Sequence, residues 1–218
     1  MRDEAIPDAT PEPPQGRGGN VRHLPIPDTD AALVEALRAG RPGASAALFD
    51  RYGVHVRRVL VRVLGADREI ADLMHEVFVQ VLESVHRLED VRAFKGWITS
   101  VAVFTARGRI RRRSRWRLMR LMSPAELEEV ESPSATPEMA EAVRCTYKVL
   151  AQLPADDRIA FALRFIDGME LTEVAGACRV SLATIKRRLS RAQQQFFTEA
   201  QKYPELAPWL QGASRWSG

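Results

Sequence analysis

Cysteine is nearly absent from this chain, and the cysteines present are not placed for a disulfide framework or a zinc site. Cys145 and Cys178 are the only two among 218 residues, and neither belongs to a Cys-x-x-Cys or Cys/His pattern. Disulfide scaffolds and zinc sites need several such residues at close spacing. The pattern indicates a reducing compartment, and we expect Cys178 to be a small packing residue without redox chemistry.

The sequence also lacks any apolar run of about 18 residues, the length that a membrane-spanning helix requires. The N-terminal stretch has no apolar signal core. We therefore expect a cytoplasmic protein without membrane insertion. A chain of 218 residues is long enough for one large domain or two small ones.

Neither sign of charge dominates the composition. There are 32 Lys and Arg against 28 Asp and Glu, a formal net charge of +4. Because the totals nearly balance, the position of each sign decides what a surface can bind. Arginine is concentrated at residues 107–117 and 187–191, and glutamate at residues 126–131.

Proline and glycine divide the chain into segments. Residues 1–27 contain six prolines and little apolar surface, which predicts a disordered arm. Residues 118–137 combine prolines with glutamates and predict a flexible acidic linker. Fully extended, such a segment spans roughly 65 Å, enough to place two small domains about two turns of DNA apart. Residues 203–218 form a tail to which we assign no fold.

Apolar residues recur at steps of three and four, and no β pattern stands out. In the first domain, residues 28–117, a helix containing Leu33, Val34 and Leu37 has Asp28 or Asp30 as its expected cap. The further helices of this domain are predicted at Ser45–Leu64, Asp67–Val85 and Ala93–Arg113. Those of the second domain, residues 138–202, are predicted at Pro137–Gln152, Asp156–Ile166, Leu171–Ala177 and Leu182–Lys202. The predicted fold class is all-α, with two small helical domains joined by the linker.

The stretch LTEVAGACRVS and the helix after it have the pattern of a helix-turn-helix, with Ser181 as the cap of the second helix. The apolar stripe of that helix is Leu182, Ile185, Leu189, Ala192 and Phe196. Its other face and flanks contain the candidate DNA-binding residues Ser181, Ala183, Thr184, Lys186, Arg187, Arg188 and Arg191. The second helix of such a motif enters the major groove, so duplex DNA is the predicted partner. A bundle helix with solvated arginines is the alternative.

The helix predicted at Asp67–Val85 has an apolar and an acidic face. The apolar face contains Leu73, Met74, Val77, Phe78, Val81 and Leu82. The predicted exposed set is Asp72, His75, Glu76, Val79, Gln80 and Glu83. Taken alone, a solvated acidic face is the simplest interpretation. His75 and Glu76 are not a metal pair, because adjacent helical residues diverge by about 100° and no second histidine follows at i+4.

The next helix ends in a dense basic strip. An apolar stripe of Trp97, Val101 and Phe104 is followed by Arg107, Arg109, Arg111, Arg112, Arg113, Arg115 and Arg117. Cations at a helix C-terminus complement the helix dipole, but this strip contains more cations than the dipole effect explains. A basic strip beside tryptophan and the polar turn at residues 86–92 favours single-stranded nucleic acid, bound by phosphate contacts and base stacking. Burial of Trp97 in the core is the alternative.

Taken together, these residues resemble the extracytoplasmic-function (ECF) sigma factors of the sigma-70 family, from about Asp28 to Phe197. The segments that resemble the family are ALFDRYGVHVRRVLVRVLG with DREIADLMHEVFVQVLESV, then AFKGWITSVAVFTARGRIRRR, then LAQLPADDRIAFALRFIDGMELTEVAGACRVSLATIKRRLSRAQ. The last segment is the most specific, because its apolar, turn and capping residues keep the internal spacing of the family.

The resemblance implies a role for each domain in transcription initiation. Core RNA polymerase is the implied partner, through its β′ clamp helices and β flap, and the exposed set from Asp72 to Glu83 would dock on the clamp helices. The first domain would bind the −10 element of promoter DNA, with implied contacts from Arg87, Arg92, Lys95, Trp97, Arg107, Arg111 and Arg112. The second would bind the −35 element through its candidate DNA-binding residues. An anti-sigma factor is an expected further partner.

The sequence departs from the family at a few of these positions. Phe104 and Gly108 stand where many members have Asn and Asp, and Ala183 and Arg187 stand where Gly and Ser are common. We expect Arg187 to add a guanine or phosphate contact.

Two other function classes are the alternatives to a sigma factor. A stand-alone helix-turn-helix repressor or activator would bind duplex operator by itself, usually as a dimer. A nucleic-acid-processing enzyme is disfavoured, because the sequence shows no clustered carboxylates, metal-spaced His/Cys set or phosphate-binding Gly-rich loop. We expect no catalytic residues, metal or cofactor.

Overall fold

The computed structural model describes residues 28–118 and 136–210, and in these ranges all regular structure is helical. The first domain contains α1 (Asp30–Arg38), α2 (Ala44–Leu64), α3 (Ile70–Ser84) and α4 (Phe94–Leu118), with 3-10 turns at Val85–Arg87 and Val91–Ala93. The second contains α5 (Pro137–Leu150), α6 (Ala155–Phe161), α7 (Leu171–Cys178), α8 (Leu182–Ala200) and α9 (Ala207–Leu210). A π-helical turn at Ala162–Ile166 continues α6, and a 3-10 turn at Pro204–Leu206 precedes α9. The predicted all-α class is confirmed. The N-terminal arm and most of the linker lie outside the described residues.

The caps of two helices test the sequence predictions. Ser181 caps α8 as predicted, since its hydroxyl accepts a hydrogen bond from the Thr184 amide at 3.2 Å. The prediction for α1 was wrong by one residue, because Thr29 caps it by accepting from the Ala32 amide at 3.2 Å. Asp28 and Asp30 instead pair with Arg51, at 2.8 and 3.5 Å. The two carboxylates that the local pattern assigned to capping thus form ion pairs with an arginine distant in sequence.

Most residues of the apolar stripes predicted from periodicity form the core, whereas Leu182 and Leu82 are exposed and Phe104 is half-buried beside a cleft. Ile185, Leu189, Ala192 and Phe196 are buried in the second domain, as are Leu73, Val77, Phe78 and Val81 in the first. Leu182 is 39% exposed, because as the first residue of α8 it has no preceding turn of helix to pack beside it. Leu82 is 41% exposed, although Phe78, one turn earlier on the same side of α3, is buried. No helix in the described ranges is long and apolar enough to cross a membrane.

The two domains are in contact and share one apolar cluster. Ile159, Leu163 and Val174 of the second domain belong to the cluster formed by α2 and α4. The Arg158 guanidinium donates to the carbonyls of Val63 and Leu64, at 3.0 and 3.1 Å. These carbonyls belong to the last turn of α2, whose backbone acceptors have no partner within the helix. Arg158 of the second domain therefore supplies hydrogen-bond donors to the C-terminal end of α2 in the first domain.

Residues beyond the predicted end of the second domain also pack on it. Leu206, in the stretch that we assigned to a tail, is 3% exposed and lies in a cluster with Phe161 and Phe196. Leu210 is partly buried against the same cluster. The first eight residues of the tail, 203–210, thus extend the apolar core around α8.

Replacing Gly65 is expected to destabilise the junction between the domains. Its φ of +81° is a left-handed value, and a Cβ there would lie 3.0 Å from the Tyr147 ring. We expect Gly65→Ala to lower the free energy of unfolding by about 1–3 kcal/mol in urea denaturation.

Gly96→Ala is the matched control, because Gly96 lies in α4 and a Cβ there has no other atom within 4 Å. That substitution is expected to leave stability unchanged or to raise it by up to about 1 kcal/mol. Equal effects of the two substitutions would contradict the proposed strain at Gly65.

Candidate nucleic-acid interface

Helices α7 and α8 form the predicted helix-turn-helix, and the local sequence accounts for its turn. Glu170 and Glu173 make a reciprocal capping box at the start of α7. The helix ends at Arg179, whose φ of 53° makes it the one residue other than glycine with a left-handed backbone in the described ranges. Val180 then leads into Ser181, the cap of α8. The turn therefore uses an arginine where a helix end more commonly has glycine.

The candidate residues of α8 lie together on its accessible side. Ser181, Ala183, Lys186, Arg187 and Arg191 are exposed, while Thr184 and Arg188 are half-buried. Four of them line a cleft of about 810 Å³, namely Thr184, Arg187, Arg188 and Arg191. The opposite side of the helix is buried, so these residues are the ones that α8 can present to DNA.

Two carboxylates at the start of α6 hold the arginines of α8 in place. Asp157 accepts hydrogen bonds from both Arg191 nitrogens Nη2 and Nε, at 2.8 and 3.2 Å. Asp156 accepts one from Arg188 at 3.1 Å. Among the described residues, no ion-pair partner lies near Arg187. The sequence alone did not show this division between anchored and unpaired arginines.

The exposed side of α3 is acidic and apolar rather than purely acidic. Asp72, His75, Glu76 and Glu83 are exposed, and Gln80 is half-buried with its amide donating to Glu76 at 3.1 Å. Val79 and Leu82, 36% and 41% exposed, lie among them. Leu82 was assigned to the core by its place in the periodic pattern. Single exposed apolar side chains are common on protein surfaces, so this mixture is compatible with a solvated face as well as with a protein-binding site.

Part of the basic strip on α4 is engaged within the fold. Arg109 is 9% exposed and pairs with Glu69 at 2.7 Å and with Asp67 at 3.5 Å. Arg113 also pairs with Asp67, at 2.9 Å, and Arg112 with Glu69, at 3.3 Å. These pairs fix α4 to the loop before α3. The Arg111 side chain is 61% exposed and faces the cleft beside α8.

Of the candidate residues for single-stranded DNA, Arg87 and Trp97 line a second cleft, of about 540 Å³. The others are not gathered around it, since Arg107 pairs with Asp156 at 2.7 Å and Arg111 lines the cleft beside α8. Trp97 and Phe104 form part of its wall, with Arg87 at the edge. Trp97 is half-buried and stacks on Phe94, with ring centroids 5.9 Å apart, so it is both a core residue and accessible from the cleft. Arg92 and Lys95 are exposed nearby in sequence. The guanidinium of Arg179, from the helix-turn-helix, lies 5.3 Å above the Phe104 ring.

Neither cysteine is placed for chemistry. Burial raises the pKa of the Cys178 thiol to about 11, and that of Cys145 to about 11, where hydrogen bonding to Glu141 adds to the effect. Cys145, Glu141 and Glu205 offer ligand atoms within 4.8 Å of one another. Glu141 is already paired with Arg144 and Lys148. We therefore assign no metal to this group.

Comparison with known proteins places both domains in one family. The model of Sigma-70 region 2 matches residues 48–116, and that of Sigma-70 region 4 matches residues 144–195. The ECF RNA polymerase sigma-E factor of Haemophilus influenzae is 27% identical over 175 residues, covering 76% of this chain and 92% of that protein. The sigma-E factor of Escherichia coli K12 is 26% identical over 175 residues, covering 76% and 91%.

Solved structures of similar fold include two protein complexes. CnrH in complex with the cytosolic domain of CnrY has a TM-score of 0.54 at 20% identity, covering 80% of this chain and 98% of that one. The sigma factor RpoE in complex with the anti-sigma factor NepR from Bartonella quintana has a TM-score of 0.56 at 18% identity, covering 75% and 99%. These structures support the fold, and the two domain matches together with the sigma-E relatives show that this chain belongs to the sigma-70 family, as an ECF sigma factor.

Proposed function

We propose that this chain binds core RNA polymerase in the cytoplasm and directs initiation at promoters that contain both a −10 and a −35 element. The observation that supports this most directly is the combination, in one chain, of an acidic and apolar α3 surface with an exposed basic face on α8. The first is suited to a protein and the second to duplex DNA. A sigma factor contributes binding rather than catalysis, so no enzymatic residues are assigned.

The first domain, residues 28–117, is the region 2 domain in this proposal. The α3 surface docks on the β′ clamp helices through Asp72, His75, Glu76, Val79, Gln80 and Glu83. The cleft at Trp97 receives a base of the melted −10 strand, since an accessible aromatic face and nearby cations suit a single strand of any sequence. Arg87, Arg92, Lys95, Arg107, Arg111 and Arg112 contact its phosphates.

The second domain, residues 138–202 and the turns that follow, is the region 4 domain in this proposal. Small Ala183 and Thr184 at the start of α8 allow close approach to the major groove, while Lys186 and Arg188 suit the flanking phosphates. Arg187, which has no ion-pair partner among the described residues, is the side chain best able to reach a guanine edge. Arg191 lies one turn further along and contacts the backbone.

An apolar groove on the second domain is the site that we propose for the β flap. It has a volume of about 340 Å³ and is formed largely by apolar side chains of α5, α8 and α9. Met139 and Val143 at its edge are 44% and 37% exposed, so a partner that covers them gains apolar burial. We also propose control by an anti-sigma factor, because one structure of similar fold is a sigma factor in complex with an anti-sigma factor.

Run-off transcription tests the proposal against its alternative. Purified core polymerase is supplied with genomic promoter fragments, with and without the protein. Transcripts that depend on the protein and share a pair of upstream elements are the expected result. Silence, together with duplex binding by the protein alone, would instead favour a stand-alone repressor or activator.

Asp72→Arg combined with Glu76→Arg is expected to abolish holoenzyme assembly. The two substitutions reverse the charge in the middle of the α3 surface without entering the core, and like charge across an interface is costly. Co-elution with core polymerase on size exclusion measures the effect. Glu35→Arg with Asp50→Arg is the control, since it makes the same charge change on exposed residues of α1 and α2. Normal co-elution of the α3 variant would refute this docking surface.

Arg187→Ala is expected to weaken −35 binding by about 1–3 kcal/mol, and unevenly across −35 variants. A base contact discriminates between sequences, whereas a phosphate contact weakens all of them alike. Transcription from a set of −35 variants measures this selectivity. Lys202→Ala is the control, because it removes one positive charge from the far end of the domain. An unchanged preference across the set would remove Arg187 from the base-contacting residues.

A further inference from the structure

We propose that the cleft beside α8 binds a small polyanion, a chain of linked phosphates such as inorganic tripolyphosphate or the triphosphate of a nucleotide. The cleft has a volume of about 810 Å³ and is lined by residues of α4, α6 and α8. This volume is within the ordinary range for small-molecule sites in proteins. The proposal goes beyond the function proposed above, since this binding requires neither polymerase nor DNA.

The cleft beside α8 has an excess of positive charge. Five arginines and two aspartates are among its lining residues, so three positive charges remain uncompensated there. The arginines are Arg111 and Arg115 of α4 and Arg187, Arg188 and Arg191 of α8. Like charges held close together repel one another. An anion that enters the cleft therefore relieves this repulsion as well as forming new ion pairs.

The ion pairs of Asp156 show how closely the cations of the two domains approach. Arg111 Nη2 of α4 and Arg188 Nη2 of α8 lie 3.7 and 3.1 Å from the same oxygen, Asp156 Oδ2. These two nitrogens can be no further apart than the sum of those distances. Asp156 Oδ1 also pairs with Arg107, at 2.7 Å. One carboxylate thus faces three guanidinium groups and cannot neutralise them all.

Two of the lining arginines, one from each domain, have donors available for a ligand. Arg115 of α4 and Arg187 of α8 are exposed, and neither has an ion-pair partner in the part of the chain that the structure describes. A guanidinium group can donate two parallel hydrogen bonds to one phosphate. The hydroxyls of Ser114 and Thr184 also line the cleft. Arg115 belongs to neither DNA-binding surface proposed above, so it reports on this ligand separately.

The lining residues favour a chain of phosphates over a single phosphate or a nucleobase. One phosphate group carries at most about two negative charges at neutral pH, fewer than the uncompensated positive charges of the cleft, whereas linked phosphates carry more. None of the described residues that line the cleft is aromatic, so a base has no ring on which to stack. We therefore expect the phosphate chain to supply the affinity, and ATP and inorganic tripolyphosphate to bind about equally well.

Isothermal titration calorimetry of the full-length protein tests the ligand class. The probes are inorganic tripolyphosphate, ATP and inorganic phosphate, at one ionic strength and without divalent cations, because salt screens such contacts. Tripolyphosphate and ATP are expected to bind at least about tenfold more tightly than phosphate, since they place more charge in the cleft. Equal affinities for phosphate and tripolyphosphate would overturn the proposal. Much tighter binding of ATP than of tripolyphosphate would overturn the assignment to the phosphate chain.

Arg115→Ala and Arg187→Ala are each expected to weaken tripolyphosphate binding about tenfold, because each removes a charged donor from one side of the cleft. Arg115→Lys keeps the charge but not the planar fork, so an intermediate loss is expected. Arg62→Ala is the matched control, since it removes an exposed arginine of α2 that does not line the cleft. Equal affinities of the Arg115→Ala and Arg62→Ala proteins would overturn the proposal. A loss in Arg187→Ala alone would do the same, because α8 would then bind polyanions without α4.

Discussion

The pairing of arginines with carboxylates is the interaction on which this structure depends. The chain places two arginine-rich helices, α4 and α8, in a small protein, and their side chains would repel one another if left unpaired. Asp67 and Asp157 have side chains 1% and 3% exposed, and each is paired with arginine from one of these helices. A buried carboxylate is strongly disfavoured without such a partner. The acids and the arginines therefore require each other, and together they determine where α4 and α8 lie.

This pairing also separates the arginines by role. Arg191 is anchored by Asp157, whereas Arg187 has no ion-pair partner among the described residues. Pairing with a carboxylate restricts the rotamers of an arginine before it binds, so it loses less conformational entropy on contact with a phosphate. The same pairing limits how far the side chain can extend. An unpaired arginine keeps its reach and its donors for a base edge. A single helix can in this way offer both kinds of contact, and the difference arises from α6 rather than from α8 itself.

The sequence predicted the helices well because local rules dominate there. Apolar periodicity identified the buried stripes, and the capping rule identified Ser181, since both depend on residues within one or two turns. Prediction from sequence failed at the cap of α1, which is Thr29 because Asp28 and Asp30 pair with Arg51 from the next helix. It also failed at Leu82, whose exposure depends on which helices pack against α3. The pairs of Arg109 with Asp67 and Glu69 join residues about 40 positions apart. No local pattern contains such a pair, so the sequence indicated an excess of arginine but not its partners.

The departures from the family pattern acquire a physical meaning from the cleft at Trp97. Phe104 lines this cleft with the Arg179 guanidinium 5.3 Å from its ring centroid, whereas Gly108 does not line the cleft. A wall of this kind offers stacking surface and positive charge but few directional hydrogen bonds. Stacking accepts any base, whereas discrimination between bases needs donors and acceptors at fixed positions. In the proposed −10 role, base preference would then come from the backbone and the side chains of the 86–92 turn, and sequence selectivity would rest more heavily on α8.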